Sequence, residues 1–192
     1  MAHEVKRAEF EVSPRATVVH IAETQTLYIE NGQLREDAEE MADGVLVYYD
    51  KHNEASAVAL CIEPADIVLK PFVDAVLLRY GVKPERPTAT NQNDAKPCHN
   101  QFVRYQAPPA QVGYDPQGQI LRIENGQFSE VGEEIAKDVI VHYDKDDDHA
   151  PASVVAIRID RAEQVLQPFV DAILAKYGLK PVQYLGSNES SG

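Results

Sequence analysis

The chain has 192 residues, of which 44% are hydrophobic and 26% charged, and its formal net charge is −13. This composition is ordinary for a globular protein with a buried core, whereas so acidic a surface argues against direct nucleic-acid binding. The chain has no apolar run near the roughly 20 residues of a membrane span, no signal-peptide pattern and, with two cysteines, no disulfide framework. We therefore expect a cytoplasmic protein without membrane contact.

The first half of the chain has the pattern of several short strands. Six segments alternate or carry apolar runs bounded by turn residues: residues 6–12, 17–21, 26–30, 33–41, 45–50 and 57–62. Asn31-Gly32 predicts a type I′ hairpin turn, because both central residues of that turn need a positive φ. The polar segment after it would then be a return strand at a sheet edge or facing solvent.

A helix is predicted after these strands. Its apolar stripe recurs with helical spacing and consists of Leu69, Phe72, Val73, Val76, Leu77 and Tyr80. Gly81 is placed as the left-handed residue that ends the helix. Pro71 cannot donate a backbone hydrogen bond, so either a short turn precedes the helix and Pro71 starts it, or one longer helix kinks there. The first interpretation is favoured, because residues 64–66 have the character of a separate turn.

The same helix sequence occurs twice, since residues 69–84 return as residues 166–181 with Phe169 in the place of Phe72. The strand segments return as well, with three extra residues between Lys145 and Val155. The chain is therefore a tandem duplication. Positions with matching apolar character are predicted to face the core, namely Val45, Val47, Tyr49, Val58, Leu60 and Ile62 in the first copy and Val139, Val141, Tyr143, Val155, Ile157 and Ile159 in the second.

These patterns predict an α+β fold of two pseudo-twofold-related repeats, each a small twisted antiparallel sheet of five to six strands followed by one C-terminal helix. The predicted organisation is repeat unit one at residues 1–84, a linker at 85–101, repeat unit two at 102–184 and a flexible tail at 185–192. The units would form a monomeric pseudo-dimer or a homodimer.

Two structural questions stay open at the level of sequence. The strands at residues 6–12 and 102–105 could each stay with their own unit or be exchanged between the units. A second partly apolar sheet face could be covered by the helix or used between the units. That face is predicted to carry Leu46, Ala59, Ile140 and Ala156.

Two short motifs resemble a known family. Tyr114-Asp115-Pro116 followed by Leu121-Arg122-Ile123 is similar to the opening of domain of unknown function 2283, a short bacterial module with the pattern Tyr-Asp, a turn and Leu-Tyr-Ile. The first copy keeps Leu27-Tyr28-Ile29 but has His20-Ile21 in place of Tyr-Asp. The resemblance extends over residues 16–62 and 110–159 and leaves out the repeated helix. It implies a small antiparallel sheet and no assigned activity.

The sequence contains no pattern that predicts a catalytic or metal centre. Asp144, Asp146 and Asp148 imitate the first three ligand positions of a calcium loop, but the glycine and the final glutamate of such a loop are missing. Cys98-His99 lacks a second ligand pair at zinc spacing. The repeated pair Glu39-Glu40 is interpreted as charge on an edge strand. We therefore expect no catalytic residue, no metal and no cofactor.

The acidic surface and the lack of a catalytic pattern favour a non-enzymatic protein-interaction or scaffold module with a protein partner. The alternative is a small-ligand-binding protein or an enzyme that uses a cleft between the two units. The candidate lining of that cleft is His20, Tyr28, Tyr49, His142 and Tyr143. A third class, mimicry of nucleic acid, would require rows of carboxylates along one face.

Overall fold

Each half of the chain folds into a sheet followed by helices. A computed structural model describes residues 14–33, 35–50, 52, 56–83, 108–125, 132–144 and 153–181. The elements described in unit one are β1 (Thr17–Ile21), β2 (Thr26–Glu30), β3 (Arg35–Ala42), β4 (Val45–Asp50), β5 (Ala57–Ile62), α1 (Ala65–Val68) and α2 (Lys70–Arg79). Those of unit two are β6 (Gln111–Asp115), β7 (Ile120–Glu124), β8 (Gly132–Ala136), β9 (Val139–Tyr143), β10 (Val154–Ile159), α3 (Ala162–Val165) and α4 (Gln167–Lys176). The predicted α+β architecture of two repeats is confirmed.

The strand order within each sheet differs from the order along the chain. It is β1-β2-β5-β4-β3 in unit one and β6-β7-β10-β9-β8 in unit two, so the last strand of each unit lies at the centre of its sheet. Burial explains this position: every residue of β5 is buried, and a strand that is buried on both faces needs a neighbour on each side. The acidic strand β3 takes the sheet edge, as predicted.

The predicted hairpin at Asn31-Gly32 is wrong. β2 pairs with β1 and β5 and not with β3, and of these two residues only Gly32 has a positive φ, of 85°. Asn31 continues the pairing with β5, since its backbone N–H donates to the carbonyl of Val58 over 3.1 Å. A turn motif is a local signal, whereas the choice of neighbouring strand follows from the burial of β5. In unit two, β7 likewise pairs with β10 rather than with β8.

The core joins the inner faces of both sheets with the buried sides of α2 and α4. Phe72 and Phe169 have no exposed surface, which confirms the predicted equivalence of the two helices. The prediction that strand residues with matching apolar character face the core is wrong for Val58 and Val155, which are buried but lie outside this core. Each is the extra residue of a β-bulge in β5 or β10, and the bulge turns it away from the inner face.

The face opposite the core is called the outer face of each sheet. The sequence left open whether the second, partly apolar sheet face is covered by the helix or used between the units. The four residues predicted for that face lie on the outer face and outside the core. They are Leu46, Ala59, Ile140 and Ala156. The helices therefore pack on the inner faces, away from these four residues.

Each main helix follows a short one, as the favoured interpretation of Pro71 predicted. Leu69 separates α1 from α2, and Pro71 lies in the first turn of α2. Gly81 has a φ of 80°, and it and the next residue donate their N–H groups to carbonyls of the last turn, as in a Schellman motif. In the second copy the apolar stripe was predicted to end at Tyr177, the counterpart of Tyr80, but Tyr177 caps α4 and is 46% exposed.

The two units pack together through matched contacts. α2 lies against β6 of unit two, α4 lies against β1 of unit one, and the two helices touch each other. The rings of Phe72 and Phe169 stack between them, with centroids 6.4 Å apart and planes inclined by 15°. We call this zone of contact between the units the seam.

The segment that precedes the first described strand of each unit forms a backbone hydrogen bond with the opposite unit. The backbone N–H of Asp43 in unit one donates to the carbonyl of Pro108 over 2.9 Å, and the N–H of Lys137 in unit two donates to the carbonyl of Pro14 over 2.7 Å. Each proline lies three residues before the first described strand of its own unit. The predicted strands at residues 6–12 and 102–105 lie outside the described residues.

Candidate functional site

Tyr49 holds the two units together at the seam. Its hydroxyl donates to Oε2 of Glu39 over 2.8 Å and accepts the backbone N–H of Val154, in unit two, over 3.4 Å. The hydroxyl of Ser153 donates to the other oxygen of Glu39 over 2.8 Å. Burial, with the nearby charge of Glu39, raises the pKa of the Tyr49 hydroxyl well above its ordinary value of 10.0. The hydroxyl is therefore a neutral group whose bonds serve the seam.

Tyr143 makes the same contacts from the other side. Its hydroxyl donates to Oε2 of Glu133 over 2.7 Å and accepts the backbone N–H of Ala57, in unit one, over 3.1 Å. Burial raises the pKa of the Tyr143 hydroxyl; the hydrogen bond from Ala57 opposes this effect and Glu133 adds to it. Ala57 and Val154 are equivalent positions of the two copies, so the pair of tyrosines forms a pseudo-twofold set of backbone contacts.

His20 and Tyr114 form a second matched pair at the seam, and each lies edge-on against a phenylalanine of the opposite unit. The ring of His20 meets that of Phe169 with centroids 5.0 Å apart, and the ring of Tyr114 meets that of Phe72 at 4.9 Å. The sequence comparison aligned His20 with Tyr114, and the structure places them in equivalent surroundings.

The polar partners of this second pair differ. The Tyr114 hydroxyl donates to Oε1 of Glu163 over 2.7 Å, and the other oxygen of Glu163 pairs with Arg79 across the seam. In the equivalent place, Asp66 lies 3.7 Å from Nζ of Lys176. The buried Nε2 atom of His20 has no hydrogen-bond partner among the described residues.

Burial lowers the pKa of His20 from its ordinary value of 6.5, although a hydrogen bond with Gln25 and the charges of Asp66 and Glu23 oppose this shift. The neutral form of His20 is thus the one that the folded protein favours.

The five residues predicted to line a cleft do not come together. His20, Tyr49 and Tyr143 lie at the seam, whereas Tyr28 lies on the outer face of β2 and His142 on the outer face of β9, in different units. The three seam residues contact side chains or backbone of the opposite unit. Their arrangement joins two copies of one module and does not enclose a shared space.

The outer face of unit one carries an apolar row that crosses the sheet. The pairing register places in one line Val19, Tyr28, Cys61, Leu46 and Glu40. The equivalent line in unit two consists of Gly113, Arg122, Arg158, Ile140 and Glu134. The two units have thus kept the same backbone while replacing an aliphatic, an aromatic and a thiol side chain with glycine and two arginines.

Exposed apolar side chains are concentrated in unit one. Among the described residues, five large hydrophobic side chains are exposed, and four of these are Val19, Ile21, Ile67 and Leu78 of unit one. Their sequence counterparts in unit two are Gly113, Asp115, Gln164 and Ala175. Because unit two forms the same fold without these apolar groups, folding does not account for them.

Sequence reasoning did not single out Val19, Ile21 and Ile67, whereas helical spacing alone places Leu78 on the face opposite the apolar stripe. The alignment of the two copies shows at which positions they differ, but it carries no information about which of those positions are exposed. That information depends on the strand order and on where the helices pack.

The outer face of unit two has a shallow depression of about 50 Å³. It is lined by Arg122, Glu124, His142, Ala156, Ile157 and Arg158. One water molecule needs about 10–15 Å³ of such space. The depression therefore holds a group of a few atoms and is far smaller than the roughly 300–1,000 Å³ of a pocket for a drug-sized ligand.

Within the described ranges, no group of three or more histidine, cysteine, aspartate or glutamate residues is arranged to hold a metal ion. Of the calcium-like loop, Asp144 is described and Asp146 and Asp148 are not, and Cys98-His99 also lies outside the described residues. The helices in the described part of the chain are all too short or too polar to cross a membrane.

Comparison with known proteins gives no relative: the chain matches no protein-family model, no curated protein and no solved structure. The resemblance to domain of unknown function 2283 stays a prediction.

Proposed function

We propose that this protein is a cytoplasmic, non-enzymatic protein-interaction module and that the outer face of unit one is its binding surface. The observation that supports this proposal is the difference between the two copies. Val19 and Ile21 are 44% and 38% exposed on β1, whereas unit two has glycine and aspartate at these positions. Apolar groups that stay in water without a role in folding are typical of a surface that another protein covers.

The expected partner presents apolar side chains bordered by lysine or arginine. Beside the apolar row lies a second cross-strand row of Thr17, Glu30, Ala59, Tyr48 and Ala38. The two rows contain glutamates at positions 30 and 40 and no lysine or arginine. With a net charge of −13 on the whole chain, this face attracts a basic partner and repels a second copy of itself.

The alternative function, binding or turnover of a small molecule in a cleft between the units, has weaker support. The hydroxyls of Tyr49 and Tyr143 already bond to the backbone of the opposite unit, so a ligand at the seam would have to displace these contacts. A reproducible rise of the melting temperature with one member of a metabolite library would favour this alternative.

Site-specific photo-crosslinking in cells tests the proposal. A photoreactive residue at Ile21 is expected to form an adduct with one other protein, and the same residue at Asp115, its counterpart in unit two, is not. Tyr28→Arg introduces the residue that unit two carries at this point of the sheet, Arg122, so it is expected to remove the adduct while leaving the fold intact.

The matched control is Leu78→Ala, which introduces the residue of unit two at an exposed position of α2, away from the outer face. It should leave the adduct unchanged. Adducts of equal yield from position 115, an adduct that survives Tyr28→Arg, or an adduct of the chain with itself would each contradict the proposed surface.

A further inference from the structure

Two arginines face each other directly on the outer face of unit two. Arg122 of β7 and Arg158 of β10 are cross-strand partners in the antiparallel pairing. Like charges in this position destabilise a sheet. Unit one has Tyr28 and Cys61 at the same places, so the fold does not require the two charges.

Among the residues that the structure describes, an ion pair neutralises one of these two charges and not the other. Nε of Arg158 lies 2.8 Å from Oδ1 of Asp160 and forms an ion pair with it. Arg122 is exposed and forms no ion pair with any residue in the described ranges. Glu124, two residues further along β7, lines the same depression. The formal charges of the two arginines and the two carboxylates cancel, yet the five guanidinium donors of Arg122 have no hydrogen-bond acceptor within the described part of the chain.

The depression between these residues has the dimensions of a small anionic group. Its volume is about 50 Å³, and His142 and Arg158 line it together with Arg122. A guanidinium presents two parallel N–H donors that match the two oxygens of a carboxylate. The nearby Glu124 opposes a dianion such as phosphate more strongly than a monoanion.

We propose that this depression on the outer face of unit two binds a single carboxylate group, held by Arg122 and supported by Arg158 and His142. The group comes from a free small carboxylic acid or from an aspartate or glutamate side chain of another protein, since both present the same two oxygens. The site lies in unit two and rests on the arginine pair, so it does not depend on the function proposed for unit one.

Nuclear magnetic resonance titration of the full chain with sodium acetate tests the site, with sodium chloride keeping the ionic strength constant. Saturable shifts are expected at the Nε–Hε group of Arg122 and at the imidazole of His142. Arg122→Gln should weaken acetate binding by about tenfold or more, because it removes charge-assisted hydrogen bonds. Arg122→Tyr introduces the residue that unit one carries at this position, Tyr28, so the fold is expected to tolerate it. It should weaken acetate binding as much as Arg122→Gln does.

The matched control is Lys70→Gln, which removes one positive charge on α2 and introduces the residue of unit two, Gln167. It should leave acetate binding unchanged.

A capped tripeptide with one central glutamate identifies the source of the carboxylate. Binding of the tripeptide at least as tight as that of acetate supports a protein side chain, and binding of acetate alone supports a free acid. Shifts that are linear in acetate, that persist in both Arg122 variants, or that saturate at lower concentration with inorganic phosphate would overturn the proposal.

Discussion

Unit one and unit two have matching interiors and different exteriors. The stacked rings at positions 72 and 169 are equally buried, and the tyrosines at positions 49 and 143 reach across the seam in the same way. The outer faces diverge, since the row that contains Tyr28 and Cys61 in unit one contains Arg122 and Arg158 in unit two. Packing constrains a side chain through all its neighbours, whereas an exposed side chain is constrained only by function.

Removal of a stacked ring tests the equivalence of the interiors most strongly. Phe72→Ala and Phe169→Ala should each lower the free energy of unfolding by about 3–5 kcal/mol, because each deletes a fully buried ring and leaves a cavity. Urea denaturation monitored by circular dichroism measures both losses. A loss near zero for one of the two variants would show that the two halves do not bury equivalent side chains.

The charged contacts of the seam should show the largest difference between the halves. Glu163→Gln is expected to cost about 2 kcal/mol, because the Glu163 side chain is 7% exposed and binds both Tyr114 and Arg79. Asp66→Asn, the matched change, should cost less than about 1 kcal/mol, since Asp66 is 30% exposed and lies 3.7 Å from Lys176. Equal costs in urea denaturation would remove the asymmetry that we infer.

The seam tyrosines should show a smaller and equal effect. Tyr49→Phe and Tyr143→Phe each deprive the buried backbone N–H of Val154 or Ala57 of its acceptor, at an expected cost of about 1–2 kcal/mol. Tyr177→Phe is the control, because Tyr177 is 46% exposed. Thermal unfolding of the three variants measures these losses of stability. A loss for Tyr49→Phe no larger than that for Tyr177→Phe would mean that the Tyr49 hydroxyl does not stabilise the seam.

The last prediction concerns pH and has the smallest expected effect. Burial lowers the pKa of His20 below 6.5, so the unfolded chain binds this proton more readily than the folded chain. The stability that neutral His20 contributes is complete above pH 6.5 and decreases as the pH falls from 6.5 towards the folded-state pKa. Lower pH should therefore weaken the fold, although Asp66 and Glu23 moderate the effect.

His20→Tyr tests this pH effect, because it introduces the residue of unit two, Tyr114. The variant should lose part of the decrease in urea midpoint between about pH 7.5 and pH 5.5. The difference between wild type and variant cancels the contributions of the other histidines. An unchanged decrease would show that His20 titrates equally in the folded and unfolded chains.

Several features of the fold could be predicted because their signals are local or repeated. The stripe that includes Phe72, the break at Pro71 and the left-handed Gly81 are each encoded within one short stretch of the chain. The acidic run of β3 indicated a strand at a sheet edge or facing solvent, and the structure places it at the edge. The second copy supports each of these predictions, since equivalent residues recur at equivalent places in unit two.

The candidate site was less predictable. The cleft hypothesis assembled tyrosines and histidines by residue type, but the face on which a strand residue lies follows from the bulges and pairing of its own sheet. Tyr28 and His142 were therefore placed in one cleft although they lie on outer faces of different units. The arginine pair went unnoticed for a related reason: Arg122 and Arg158 become neighbours only because β10 inserts beside β7.

The sequence alone determined that this protein is a duplicated sheet-and-helix module and that both copies bury the helix stripe with Phe72 and Phe169, because periodicity and repetition are properties of the chain itself. The tertiary structure decided which strands are neighbours and which positions that differ between the copies face water. The physical reason is that β5 and β10, buried along their length, take the centre of each sheet and so override the local turn signal at Asn31-Gly32. Which strand is buried at the centre of a sheet depends on all the strands together, so no single stretch of sequence predicts it.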